Sequence, residues 1–191
     1  MSENKVNYMN KTEKSSIKAH KTIRIFIYII QLFILASIQQ VPGFIPEIYG
    51  GRPLLILPLI LTVALLEGNY VGFIFSLVSG IIMDLSLGNH IGVQLFVIGI
   101  IGYILGKVKE KLFKDSVFTF IFFCILIEPF FIIMRFYLNQ GIFVVNQEHI
   151  KLMFINHIIP GVLYTICISP VIYLFNRPIF YFIREKEAEQ N

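Results

Sequence analysis

Charge is confined to a few short segments of this chain, and that confinement limits what it can fold into. Of its 28 Asp, Glu, Lys and Arg residues, seven lie in residues 1–22, six in 177–191 and six in Lys107–Asp115, leaving nine for the remainder. Between those clusters run long apolar stretches. In all, 56% of the 191 residues are hydrophobic and the mean hydropathy is +0.75. A water-soluble enzyme, a disordered chain and a disulfide-framed scaffold are excluded by such a distribution. It predicts an all-α polytopic membrane protein: a basic tail over 1–22, a membrane domain over 23–176 and a charged tail over 177–191.

Six apolar runs can be cut: Ile23–Val41, Pro53–Leu66, Asn69–Leu85, Ile91–Gly106, Ser116–Leu138 and Leu152–Phe175. About 20 helical residues are needed to cross ~30 Å of hydrocarbon. The second and fourth runs are shorter than that, so six crossings stand beside four crossings plus a re-entrant pair. The tight connectors Glu67–Asn69 and Ser86–His90 favour antiparallel neighbours. With the N-terminus inside and six crossings, 13 Lys and Arg residues fall on the cytoplasmic side, while Arg52 and Lys151 fall outside and Arg135 lies within the fifth run. That asymmetry predicts both termini and the Lys107–Lys114 loop inside. The first run is followed by Gln39, Gln40, Val41 and Pro42 rather than by a small-residue cleavage site, so it reads as a retained span. The basic tails fit an anionic lipid surface rather than nucleic acid.

Small residues are grouped by face. In the third run, Gly72, Ser76, Ser79, Gly80 and Met83 share about 100° of helical arc, with Asp84 at its edge. In the fourth, Gly92, Gly99, Gly102 and Gly106 share about 80° of arc. Such faces let helices approach closely where lipid offers no hydrophobic drive. They serve packing within the chain or, alternatively, docking of another membrane protein. Asp84 is either a charge at the membrane–water boundary or a functional acid. Gly88 and Asn89 suit a tight turn, and His90 reads as a turn residue.

The fifth run holds Glu128, Pro129 and Arg135. The two charges lie about 20° apart around the helix but ~10 Å apart along it. A central acid costs ~3 kcal/mol on insertion, while 15 Val, Ile, Leu and Phe residues each return ~0.3–0.6 kcal/mol, so the run stays a span. Pro129 removes a backbone hydrogen bond and favours a kink. Intramembrane charges of this kind serve as a structural polar pair, a partner contact, or a ligand or proton site. In the sixth run Asn156 and Pro160 stand one turn apart and predict a bend. Cys124 and Cys167 are isolated in apolar runs. No catalytic triad, HExxH, phosphate loop or metal-ligand spacing occurs, so neither enzymatic chemistry nor a cofactor is expected.

From Leu35 to Phe113 the motifs come in a recognisable order. An apolar helix leads to Pro42, and Arg52-Pro53 opens the next span. Then come Glu67-Gly68-Asn69-Tyr70-Val71-Gly72-Phe73, Gly80-Ile81-Ile82-Met83-Asp84-Leu85, Gly88, Ile91-Gly92, and Gly102-Tyr103-Ile104-Leu105-Gly106-Lys107 before a basic loop. This order resembles the MreD family of rod shape-determining proteins. The tail Asn156…Pro160…Tyr164-Thr165…Pro170…Phe175…Arg177 is similar to that family's last helix. The pattern departs from the family at Ile81, in the long N-terminal tail and at Glu128-Pro129. The resemblance implies a non-enzymatic component of the lateral cell-wall elongation machinery. It also implies an MreC-like bitopic protein, an MreB-like actin homologue, and a peptidoglycan glycosyltransferase and transpeptidase as partners. The family's fold is thought to be that of the substrate-binding subunits of vitamin-type ECF transporters, so such a subunit is the alternative reading. It would use Asp84, Asn89, His90 and Asn156 to hold a solute, although the outer loops are sparse in polar groups. A small proton-coupled transporter would rest on Glu128 and Arg135 alone.

Overall fold

The computed structural model describes residues 2–41, 43–47, 50–87, 92–112, 116–140 and 154–188. Among these the chain forms six helices. They are α1 (Ser2–Gln40), α2 (Ile56–Glu67), α3 (Asn69–Leu87), α4 (Val93–Leu112), α5 (Val117–Gln140) and α6 (Ile159–Ala188), the last preceded by a π-helical turn at Phe154–Ile158. Four helical segments are long and apolar enough to cross a membrane: Lys21–Gln40, Asn69–Ser86, Val117–Phe136 and Phe154–Ile183. α4 has the length, but its last turns carry Lys107, Lys109 and Lys111. Gly88, Asn89, His90, Lys114, Asp115 and Lys151 lie outside the described residues.

Several boundaries differ from the apolar runs. α1 extends back through the basic stretch to Ser2, and α6 continues past Arg177 to Ala188, so neither tail boundary is a helix boundary. Lys, Glu and Arg are adequate helix formers, and hydropathy ends where helical backbone does not. Pro160 falls in the first turn of α6, where a missing N–H costs little. The π-helical turn that includes Asn156 occupies the site of the expected bend.

α2 is the hub. Every residue from Ile56 to Leu66 is buried. Tyr28, Leu32 and Ala36 of α1, Val71 and Phe75 of α3, Ile98 of α4 and Phe131 of α5 pack with it in one cluster. Leu61, Ala64 and Leu66 pack with Leu105, Phe120, Cys124, Tyr173 and Phe180 in a second. Twelve helical residues span only about 18 Å. The remaining height is made by Gly51–Leu55, which is non-helical and runs beside the start of α6. Non-helical backbone at membrane depth requires its polar groups to be met by protein. Here the Leu54 N–H donates to Thr165 Oγ1 at 3.1 Å and the Leu55 N–H to Gln39 Oε1 at 3.1 Å. Gly51 faces Gly161: a Cβ on Gly51 would stand 2.9 Å from both the His157 and the Pro160 backbone.

α3 and α4 form the closest helix pair. Ser76 of α3 fills the space above Gly102 of α4, its hydroxyl bonded back to Gly72 O at 2.7 Å. A Cβ at Gly80 would stand 2.5 Å from Leu95 Cα, one at Gly99 2.8 Å from Leu77 Cδ2, and one at Gly106 2.7 Å from Asn69 N. Gly72 faces α2 instead, where a Cβ would stand 2.7 Å from Ala64 Cα. Gly92 stands apart from this packing. Nothing lies within 4 Å of a Cβ there, and its φ of +100° marks a turn glycine.

Candidate functional site

Polar side chains gather at three levels of the bundle. At the end that carries Lys107 and Lys109, Arg24 of α1 meets Glu67, the last residue of α2. Arg24 Nε lies 2.9 Å from Glu67 Oε1, and Nη2 donates to Oε2 at 3.3 Å. The two side chains are 6% and 2% exposed, so this is a buried, two-point ion pair rather than a surface contact. Lys109 Nζ donates to the Leu66 carbonyl, which meets one of the orphan acceptors at the α2 C-terminus. Phe180 of α6 receives both cations on its ring, Arg24 at 5.1 Å and Lys109 at 5.2 Å from the centroid. Four helices are thereby tied together. Sequence reasoning missed this cluster, because Arg24 and Glu67 each sit at the edge of an apolar run and look like boundary charges. The available signal was that Glu67 is the lone acid between two spans joined by a tight connector.

At mid-height Glu128 of α5 is fully buried. Ser169 of α6 donates to Glu128 Oε1 at 2.5 Å, and its hydroxyl also lies 2.7 Å from Thr165 O. Arg135 is not its partner. Glu128 turns into the α5–α6 contact, while Arg135 lines a cavity at the far end of the bundle. Their 20° offset did align them on one helix face, but α6 offers the acid a nearer hydroxyl.

At the end opposite the lysines, Asp84 is 4% exposed. Its carboxylate accepts from Gly92 N at 2.9 Å, Gln94 N at 3.2 Å and Leu95 N at 3.1 Å. These are the N–H groups that open α4, so Asp84 caps that helix from the last turns of α3 and lies favourably at its positive end. Gly92 supplies the positive φ that lets the chain turn beneath the carboxylate.

Beside this cap lies a cavity of about 580 Å³. Gln39 and Gln40 come to it from α1, Pro53 from the non-helical segment, Ser86 from α3, and Ile132 and Arg135 from α5. Gln40 Nε2 donates to Ser86 Oγ at 2.8 Å across it. Arg52, also on its lining, pairs with Glu47. Asn156 does not line it; that side chain is exposed on the π-helical turn, and neighbouring His157 places Nδ1 2.9 Å from Gly50 O. Of the four residues expected to form a solute pocket, Asp84 is engaged with α4, Asn156 is exposed, and Asn89 and His90 lie outside the described residues. Among the described residues no group of three or more His, Cys, Asp or Glu is placed to hold a metal ion.

Among the described residues the chain is a bundle of helices, four of them long and apolar enough to cross a membrane, with Arg24, Glu67, Asp84 and Glu128 engaged in ties between helices, the architecture of a polytopic helical bundle. A family model, that of the rod shape-determining protein MreD, matches residues 19–184. The chain therefore belongs to the MreD family. No curated protein and no solved structure matches it.

Proposed function

We propose that this protein is a non-enzymatic scaffold or regulator of the complex that elongates the bacterial cell wall. It crosses the cytoplasmic membrane six times, with both termini and the basic segment Lys107–Lys114, which begins in the last turns of α4, inside. The observation that carries this reading is the family match over residues 19–184, from the end of the basic tail to the last turns of α6. The geometry is consistent with it. A scaffold needs rigid faces, and the glycine-lined α3–α4 contact together with the Arg24–Glu67 tie stiffens the bundle. The partners implied are an MreC-like bitopic protein, an MreB-like filament reached through the basic end of α4, and the glycosyltransferase and transpeptidase of peptidoglycan synthesis. Membrane lipid surrounds the bundle, and nucleic acid has no part. Depletion in a rod-shaped host should give rounded cells, and tagged protein should co-purify a bitopic partner from detergent. A vitamin-type solute bound at 100 times its Kd would stabilise the protein by ~2.7 kcal/mol. A reproducible shift of that kind, with cell shape unchanged on depletion, would overturn the scaffold in favour of a transporter subunit.

A further inference from the structure

The cavity at the end opposite the lysines has the makings of a binding site that the scaffold reading does not use. Arg135 projects into it from α5, half-buried, with no hydrogen bond or ion pair among the described residues. Arg135 is the penultimate residue of the apolar span Val117–Phe136, and an arginine at the edge of a span takes an anion or water as its partner. Its neighbours on the lining do not neutralise it. Arg52 adds a second guanidinium, one that already holds Glu47, and Gln40 and Ser86 bond to each other. Gln39 is the remaining polar side chain on the lining, and the others, among them Ile132 and Phe136 of α5 and Ile38 of α1, are apolar. α1 and α5 both line the cavity and, among the described residues, make no extensive contact with each other. Phe33 and Ile34 of α1, and Val41 directly after it, are exposed.

We infer that this cavity seats the phosphate of a membrane phospholipid, with Arg135 as its principal ligand. Three features favour a lipid over a soluble anion. The cavity lies at the end of the apolar spans, where headgroups sit. Most of its lining residues are apolar, and Arg135 has no ion pair among the described residues. Two of the helices that line it expose apolar side chains, Phe33 and Ile34 on α1 and Phe130 on α5. The planar guanidinium offers two parallel donors to a phosphate's oxygens. Gln39, Gln40 and Ser86 line the part of the cavity nearest the helix ends, where the polar remainder of a headgroup would lie.

The test uses the full chain, purified and delipidated in detergent, with lipid retention followed by native mass spectrometry and stability by thermal unfolding. The probes are phosphatidylglycerol, diacylglycerol with the same acyl chains, and inorganic phosphate. Phosphatidylglycerol should be retained and should raise Tm, whereas diacylglycerol and inorganic phosphate should do neither. Arg135→Gln should weaken retention by about tenfold or more, the loss of one charge-assisted contact. Lys107→Gln, at the other end of the bundle, should leave it unchanged. Ile132→Trp, which narrows the cavity and keeps the charge, should also abolish retention, and this variant decides the matter if Arg135→Gln fails to fold. Full retention by both cavity variants would overturn the assignment. So would a diacylglycerol response equal to that of phosphatidylglycerol, or a shift reproduced by inorganic phosphate alone.

Discussion

At Gly102 the α3 and α4 backbones meet with no room for a methyl group: a Cβ there would overlap the Ser76 hydroxyl and stand 3.0 Å from the Gly72 carbonyl. Gly102→Leu should therefore lower stability by about 1–3 kcal/mol, the usual cost of overpacking. Ile104→Leu is the matched control, since Ile104 is 52% exposed on the outer face of the same helix. Ile101, its neighbour by one residue, would be a poor control because it packs against both core clusters. Equal Tm values for the two variants in detergent would show that the α3–α4 contact opens freely. Arg24 gives a second prediction at this scale. Arg24→Gln leaves Glu67 buried beside Lys109 and Phe180 without its two-point partner, and breaking a buried pair costs about 3–5 kcal/mol. The double variant Arg24→Gln, Glu67→Gln removes both charges and should recover most of the loss. If the double variant is no better than the single one, the charges are not what holds α1 to α2.

Among the elements, α2 departs most from what its apolar run suggests. The fourteen-residue run Pro53–Leu66 reads as a short span, yet only eleven of its residues are helical, and the preceding segment is held by side chains from α1 and α6. Thr165 is central to that arrangement. Its hydroxyl accepts from Leu54 N and donates to Gly161 O at 2.7 Å. Thr165→Val should cost about 1–3 kcal/mol, the penalty for orphaning a buried N–H. Thr62→Val in the middle of α2 should cost less, because the Thr62 hydroxyl bonds only to Pro58 O one turn back in its own helix. Thermal unfolding of the two variants side by side decides this, and a larger loss at Thr62 would contradict the role given to Thr165. α4 behaves differently. Its start is fixed from outside by Asp84, and its far end carries the lysines beyond the last glycine contact at Gly106.

For the molecule as a whole, the helices alternate direction between two unlike ends. Arg24 near the start of the α1 span, Lys109 late in α4 and Phe180 late in α6 converge at one end, while Gln40, Ser86 and Arg135 converge at the other. Both termini of the membrane domain thus share the lysine-rich end, which by the distribution of basic residues should be cytoplasmic. Reporter fusions after Phe113 and after Glu189 should read inside, and one after Gln140 should read outside. A fusion after Phe113 that reads outside would break the six-pass arrangement.

Properties summed along the chain were legible in the sequence: membrane class, helical content, the approximate positions of the apolar runs, and the order of motifs that marks the MreD family. They were legible because insertion energy adds residue by residue and helical periodicity puts small residues on one face. The pairings between remote segments were not. Arg24 with Glu67, Leu54 with Thr165, Glu128 with Ser169 and Asp84 with the start of α4 each depend on which helix face meets which. A face pattern says that a helix has a contact surface without saying whose. Gly72 lies on the same arc of α3 as Gly80, yet one meets α2 and the other α4. Gly92 fits the arc of α4 but serves a turn. The apparent pairing of Glu128 with Arg135 dissolved for the same reason: angle along a single helix was all the sequence offered. The tertiary structure supplied a hydroxyl on α6 for the acid and a cavity lined by α1, α3 and α5 for the arginine, because partner choice is made by packing in three dimensions.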